Sequence, residues 1–210
     1  LMFAVNFVVN LTVSIVAPFL PMHLQARQLL VPLGPAAGVT KGMLFASASL
    51  ATLLMTPQTP GLTLRYGRIK SCAAGLIIFA AGMATFGASA EIVAFLTMST
   101  AEAPSAHPMS ELALLFAARI VAACGGCLAG MSSMSLALKT NPGNRGVLMG
   151  ASETAIGVGF AVGPSVGAAF FLAGGFAAPF LAAAASAVGL FPLLLIARGP
   201  QGDEEEEEEE

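Results

Sequence analysis

Six long stretches of apolar positions, separated by short polar or basic intervals, organise the chain. They run from Leu1 to Pro21, Gly42 to Pro60, Ser71 to Met98, Glu111 to Leu138, Gly146 to Ala173 and Phe176 to Ala197. A helix needs about 20 mostly apolar residues to cross a bilayer, and each stretch is about that long. Gly and Pro inside them are compatible with spanning, because neighbouring helices re-satisfy the freed backbone groups. The strands of an outer-membrane barrel would be shorter and would alternate apolar with polar positions. The pattern predicts an all-α membrane protein. Residues 1–198 form one domain of six transmembrane helices, and residues 199–210 form an acidic, disordered cytosolic tail.

Composition agrees once the tail is separated from the body. The chain of 210 residues is 56% apolar and 10% charged, where soluble domains carry about a quarter charged residues. Asp203 and the run Glu204 to Glu210 hold most of the acids, so the formal charge of −3 describes the tail. The body is basic and too poor in charge to build a soluble surface. This excludes a disordered chain, a secreted disulfide scaffold and a nucleic-acid reader. The body's basic groups are asymmetric. Arg65, Arg68, Lys70, Lys139, Arg145 and Arg198 fall on one side, whereas Arg27 and Lys41 fall on the other. The positive-inside rule then places both termini in the cytosol, in a plasma, vesicular or other organelle membrane. No basic n-region or small-residue cleavage site precedes the first span, so the chain is expected to begin inside a longer sequence.

Ionisable groups within spans are candidates for function. Arg119 in the fourth span and Glu153 in the fifth enter from opposite faces. With a rise of about 1.5 Å per residue in a core of about 30 Å, the two lie about 8 Å apart in depth. They are either a substrate or proton site or an ion pair that pins two helices. Asn6, Asn10 and Ser14 share one helix face by their spacing. They either line a cavity or make interhelical hydrogen bonds. Cys124 and Cys127 form a CxxC, but their glycine-rich apolar surroundings favour close helix packing over redox or metal chemistry. His23 and His107 are expected in outer loops without companion ligands, so neither a metal nor a cofactor is expected. The stretch Pro60 to Lys70 is expected to be a short basic turn reversing at Gly67. Gly159, Gly163 and Gly167 around Pro164 form a small-residue groove where the helix can pack closely and bend.

Taken together, these motifs resemble the amino-terminal half of a major facilitator superfamily transporter. Arg65, Gly67 and Arg68 match the superfamily's loop motif after the second helix, with Pro60 and Leu64 in place of its first Gly and its Asp. Arg119 matches the start of the fourth-helix motif, with Ala123 in place of its first Gly. Gly159, Gly163, Pro164 and Gly167 complete the fifth-helix pattern Gly-x-x-x-Gly-Pro-x-x-Gly, which resembles an antiporter signature. Three stretches are similar to the vesicular amine and polyamine transporter branch. They are Ala17 to Pro21, the run from Arg145 through Gly150 to Ser152 and Glu153, and Pro179 with Phe180. The monoamine carriers have an Asp-Asn pair in the first helix, where this chain has Val9 and Asn10. The polyamine-like relatives are therefore nearer.

The resemblance implies one half of a twelve-helix fold, built of two inverted three-helix repeats. It implies secondary active transport of a small organic solute, amine-like, polyamine-like or drug-like, by proton antiport. Asn6, Asn10, Arg119 and Glu153 would lie on the substrate and proton pathway. Arg65, Gly67, Arg68 and the fifth-helix motif would serve gating and packing. The implied partners are the solute, protons, the lipid bilayer, and a missing carboxy-terminal half or a second copy. The main rival is a half that does not transport and instead associates with another membrane protein. A membrane-embedded enzyme would need clustered catalytic groups that the spans lack.

Overall fold

The computed structural model describes residues 1–98 and 105–198, and these are helical throughout apart from short connections. The acidic run 199–210 lies outside the described residues. Helix α1 covers Met2–Ala26 and contains Pro18 and Pro21. Among the described residues, six helical segments are long and apolar enough to cross a membrane.

The first span was expected to stop at Pro21, but α1 continues for more than a turn beyond it. The extension carries His23 to a buried partner, so tertiary contacts hold residues that local propensity would release. A 3-10 segment, Val31–Ala36, leads into α2, Ala37–Met55. The expected basic turn at 60–70 is largely helical. Helix α3, Thr59–Tyr66, opens with Pro60 near its N-terminus, where a missing N–H costs nothing. The reversal is confined to Gly67, whose φ of 81° and ψ of 151° lie where a side chain would be strained.

The expected third span divides into α4, Arg68–Gly87, and α5, Ser89–Thr97. The 20 residues of α4 already reach about 30 Å, enough to cross a bilayer alone. Helix α6, Pro108–Thr140, and α7, Arg145–Gly174, are the longest, and α7 is continuous through Pro164. The expected sixth span divides at Leu190 into α8, Ala177–Gly189, and α9, Phe191–Arg198. Pro192 stands in the first turn of α9, where its missing N–H costs nothing.

Helix α4 is the centre of the bundle and packs between α6 and α8, while α1 packs along α7. Glycines set both seams. A Cβ on Gly75 of α4 would stand 2.5 Å from the Ala129 backbone nitrogen of α6. Along α7, a Cβ on Gly159 would meet the backbone of Leu11 and Phe7 at 2.9 Å, and one on Gly163 would meet the Leu11 carbonyl at 2.8 Å. A Cβ on Gly167 would strike Phe19 at 2.8 Å. The fifth-helix motif is therefore a groove into which α1 is laid, backbone against backbone. Pro164 is exposed, about 100° around α7 from Gly163. The core of Leu20, Leu76, Phe79, Phe86, Leu115 and Phe180 fills the space around α4. Helices α2 and α7 are the least covered of the spans.

Candidate functional site

A cavity of about 670 Å³ opens between α1, α2 and α6, with Ser152 of α7 contributing at one end. Asn6 and Asn10 of α1 and Arg119 of α6 line it. Its apolar lining includes Met83, Met131 and Met134, flexible side chains that adapt to varied shapes. A second cavity, about 550 Å³, lies beside it and reaches Ser14, Phe45 and Phe160. Arg119 lines both.

The polar stripe of α1 does both things its spacing allowed. Asn6 donates through Nδ2 to the Ser152 hydroxyl at 2.9 Å, and Ser14 donates to the Phe160 carbonyl at 2.9 Å, so both tie α1 to α7. Asn10 donates to the Asn6 carbonyl at 2.8 Å within its own helix. Cavity lining and interhelical bonding are thus not alternatives here. Cys127 also lines the larger cavity, and Thr56 Oγ1 lies 3.6 Å from its sulfur. Its neighbour Gly125 is pressed against the Phe79 backbone, as close packing requires.

Arg119 and Glu153 do not meet. Arg119 is 8% exposed, and its guanidinium carbon stands 5.6 Å from the centre of the Phe45 ring. Its Nε has no hydrogen-bond partner. Glu153 is exposed on α7 and lines neither cavity. Neither the depth nor the helix face fits: Ser152, beside Glu153, bonds Asn6, which lies against Gly130, eleven residues and about 16 Å along α6 from Arg119. The buried face of α7 carries Ser152, Ala155, Gly159, Gly163 and Gly167, and one residue further on is about 100° around the helix.

The buried acid is instead Glu111, in the first turn of α6 and 0% exposed. Arg27 donates to it through Nε at 3.1 and 3.2 Å and through Nη2 at 2.8 Å. His23 Nε2 lies 3.0 Å from Oε1 of the same carboxylate. The Phe176 ring stacks on His23 with centroids 3.7 Å apart. The cluster fastens α1 to α6 and to the corner before α8. His23 is therefore not a loop residue, and Arg27 is not a free surface cation. The signal in the sequence was their i, i+4 spacing beyond Pro21, which matters only if α1 continues. His107 directly precedes α6.

Of the loop motif, Arg65 is exposed beside Tyr66, and Arg68 donates through Nε to Ser135 of α6 at 3.1 Å. Leu64, at the position of the motif's Asp, is 79% exposed. Arg68 and the Gly67 reversal thus join the start of α4 to α6 without an acidic partner at residue 64.

The model of the Major Facilitator Superfamily matches residues 2–210. A rat (Rattus norvegicus) protein, MFS-type transporter SLC18B1, is 27% identical over 192 residues, covering 91% of this chain. The chain spans 38% of that relative's length. Six helical spans, the glycine seam of α7 and this match across the chain lead to one assignment: the chain belongs to the Major Facilitator Superfamily, a family of membrane transporters rather than enzymes, and has the all-helical architecture of one six-span half.

Proposed function

We propose that the chain is the six-span half of a secondary active transporter that moves a small organic solute in exchange for protons. The observation that carries this reading is the 670 Å³ cavity between α1, α2 and α6, lined by Asn6, Asn10 and Arg119 within the spans. Polar groups at that depth are costly unless they face protein or a water-filled path. In such folds, two halves rock about a site near the midplane and open it alternately to each side.

The sparsely covered α2 and α7 support a second half, or a second copy, as the surface that closes the site. Glu153 supports the same reading. A carboxylate exposed on α7 is costly in lipid and is accommodated against protein or water. At that junction Glu153 is the proposed proton carrier. The resemblance to the vesicular amine and polyamine branch supports proton antiport and an amine-like or drug-like cargo. Both termini lie in the cytosol in this reading, as the basic asymmetry supports. A second reading, a half that only associates with another membrane protein, is favoured by the same uncovered α2 and α7, which any suitable membrane partner could cover.

The test is uptake into proteoliposomes under an imposed pH gradient. The chain is reconstituted alone and joined to a second six-span half, against a panel of labelled organic cations, anions and neutral solutes. Gradient-driven uptake by the joined protein supports transport. Folded protein without uptake of any solute supports the associating half.

A further inference from the structure

The cavity carries a cation and no acid. Arg119 is 8% exposed, and its Nε is buried without a partner. Among the described residues, no Asp or Glu lines either cavity that it reaches. The described acids are all unsuited to neutralise it, Glu91 being exposed on α5 and lining neither cavity. Glu111 is already held by Arg27 and His23, and it stands eight residues away on the same helix, about 12 Å along the axis. Glu153 faces away from both cavities. The Phe45 ring offers Arg119 a cation–π contact, which offsets only part of the cost of a buried charge. A guanidinium with an open edge is suited to a planar or tetrahedral oxoanion, which it binds through paired N–H donors.

Neutral donors line the same cavity farther along, with Asn6 against Gly130, eleven residues and about 16 Å along α6 from Arg119, so they face the body of a bound solute. The Ser152 oxygen accepts from Asn6, which leaves its own hydroxyl hydrogen to donate. Asn10 uses one of its two amide hydrogens on the Asn6 carbonyl and retains the other. The remaining lining is mainly apolar, with Met83, Met131 and Met134 beside the hydroxyls of Ser49, Thr52, Thr56 and Ser135, and suits a largely hydrocarbon body.

We infer that this half binds the anionic end of its solute, a carboxylate or phosphate on a compact organic body, with the oxoanion seated on Arg119. The inference rests on the cavity being the transport site and names its substrate class. It departs from the amine-like cargo. A polyamine carries only positive charge, and within this half it would meet Arg119 with no carboxylate to offset the repulsion.

The Ala123→Cys variant, made with Cys124→Ser and Cys127→Ser, provides a binding readout that does not depend on transport, because residue 123 lines the same cavity one turn from Arg119. This variant in lipid nanodiscs is alkylated with N-ethylmaleimide, and modification at position 123 is followed by peptide mass spectrometry. Phenylacetate, phenyl phosphate, phenethylamine and the neutral phenylacetamide are added separately at millimolar concentration. The expected result is slower alkylation with phenylacetate or phenyl phosphate. The comparison of the two shows which oxoanion is preferred. The Arg119→Gln variant should lose that protection by about tenfold or more in apparent affinity, the usual loss for a charge-assisted hydrogen bond. Arg119→Lys keeps the charge and should retain part of it, which separates loss of binding from loss of fold. Protection by phenethylamine but not by the anions overturns the proposal, as does equal protection in Arg119→Gln, or no protection by either anion. Anion protection without uptake in proteoliposomes would instead refute the transport reading and leave the anion site standing.

Discussion

Replacing Glu111 tests whether its cluster holds the bundle together. Its carboxylate is fully buried and receives three donor contacts from Arg27 as well as facing His23. Glu111→Gln keeps the shape and one acceptor oxygen but removes the charge. Arg27, itself buried, is then left without its counter-charge. Breaking a buried pair in this way costs about 3–5 kcal/mol, because the desolvated partner remains. The retained amide oxygen places Glu111→Gln near the lower end, and Glu111→Ala should lie near the upper. The measurement is reversible unfolding in mixed micelles, followed by helical circular dichroism. A second variant separates stranded charge from general disruption. Arg27→Met with Glu111→Leu removes both charges, and the double substitution should be less destabilised than the sum of its singles by about 1–3 kcal/mol. His23→Ala should cost about 1–3 kcal/mol, for one hydrogen bond to a charged acceptor and the lost stack on Phe176. If Glu111→Gln stays within about 0.5 kcal/mol of the parent, as a surface change would, or if the double is simply additive, the cluster is not the fastening described here.

Gly163→Leu should destabilise the bundle by about 1–3 kcal/mol through overpacking against Leu11 and Ser14. Gly157→Ala on the same helix, where a Cβ meets nothing within 4 Å, should be neutral or stabilise by up to about 1 kcal/mol in the same unfolding assay. Single-cysteine labelling from outside intact cells should reach His107→Cys and miss Gly143→Cys; the reverse pattern would invert the proposed orientation. In a protein joined to a second half, Glu153→Gln should abolish proton-coupled uptake while preserving expression and solute binding. Unchanged coupled uptake would reduce Glu153 to a packing role.

Hydropathy along the chain was enough to place the six spans, because the cost of burying polar groups in lipid acts on each segment separately. Gly67 was legible as the reversal for a similarly local reason: its backbone conformation suits a residue without a Cβ. The Gly159, Gly163 and Gly167 groove was legible as a close-packing surface, although only the fold showed that α1 fills it. Counting from the span ends misjudged the depths of Arg119 and Glu153, and pairing also depends on which way each helix is turned. That rotation is set by the seam between α1 and α7, which turns Ser152 inward and Glu153 outward. The extent of α1 beyond Pro21 was also a tertiary decision. His23 and Arg27 look like loop residues until Glu111, far away in sequence, gives them a buried partner. The sequence alone thus determined which segments enter the membrane and where the backbone can bend or approach closely. The packed structure decided which charges meet, because contact between helices depends on rotation and register that no single segment specifies.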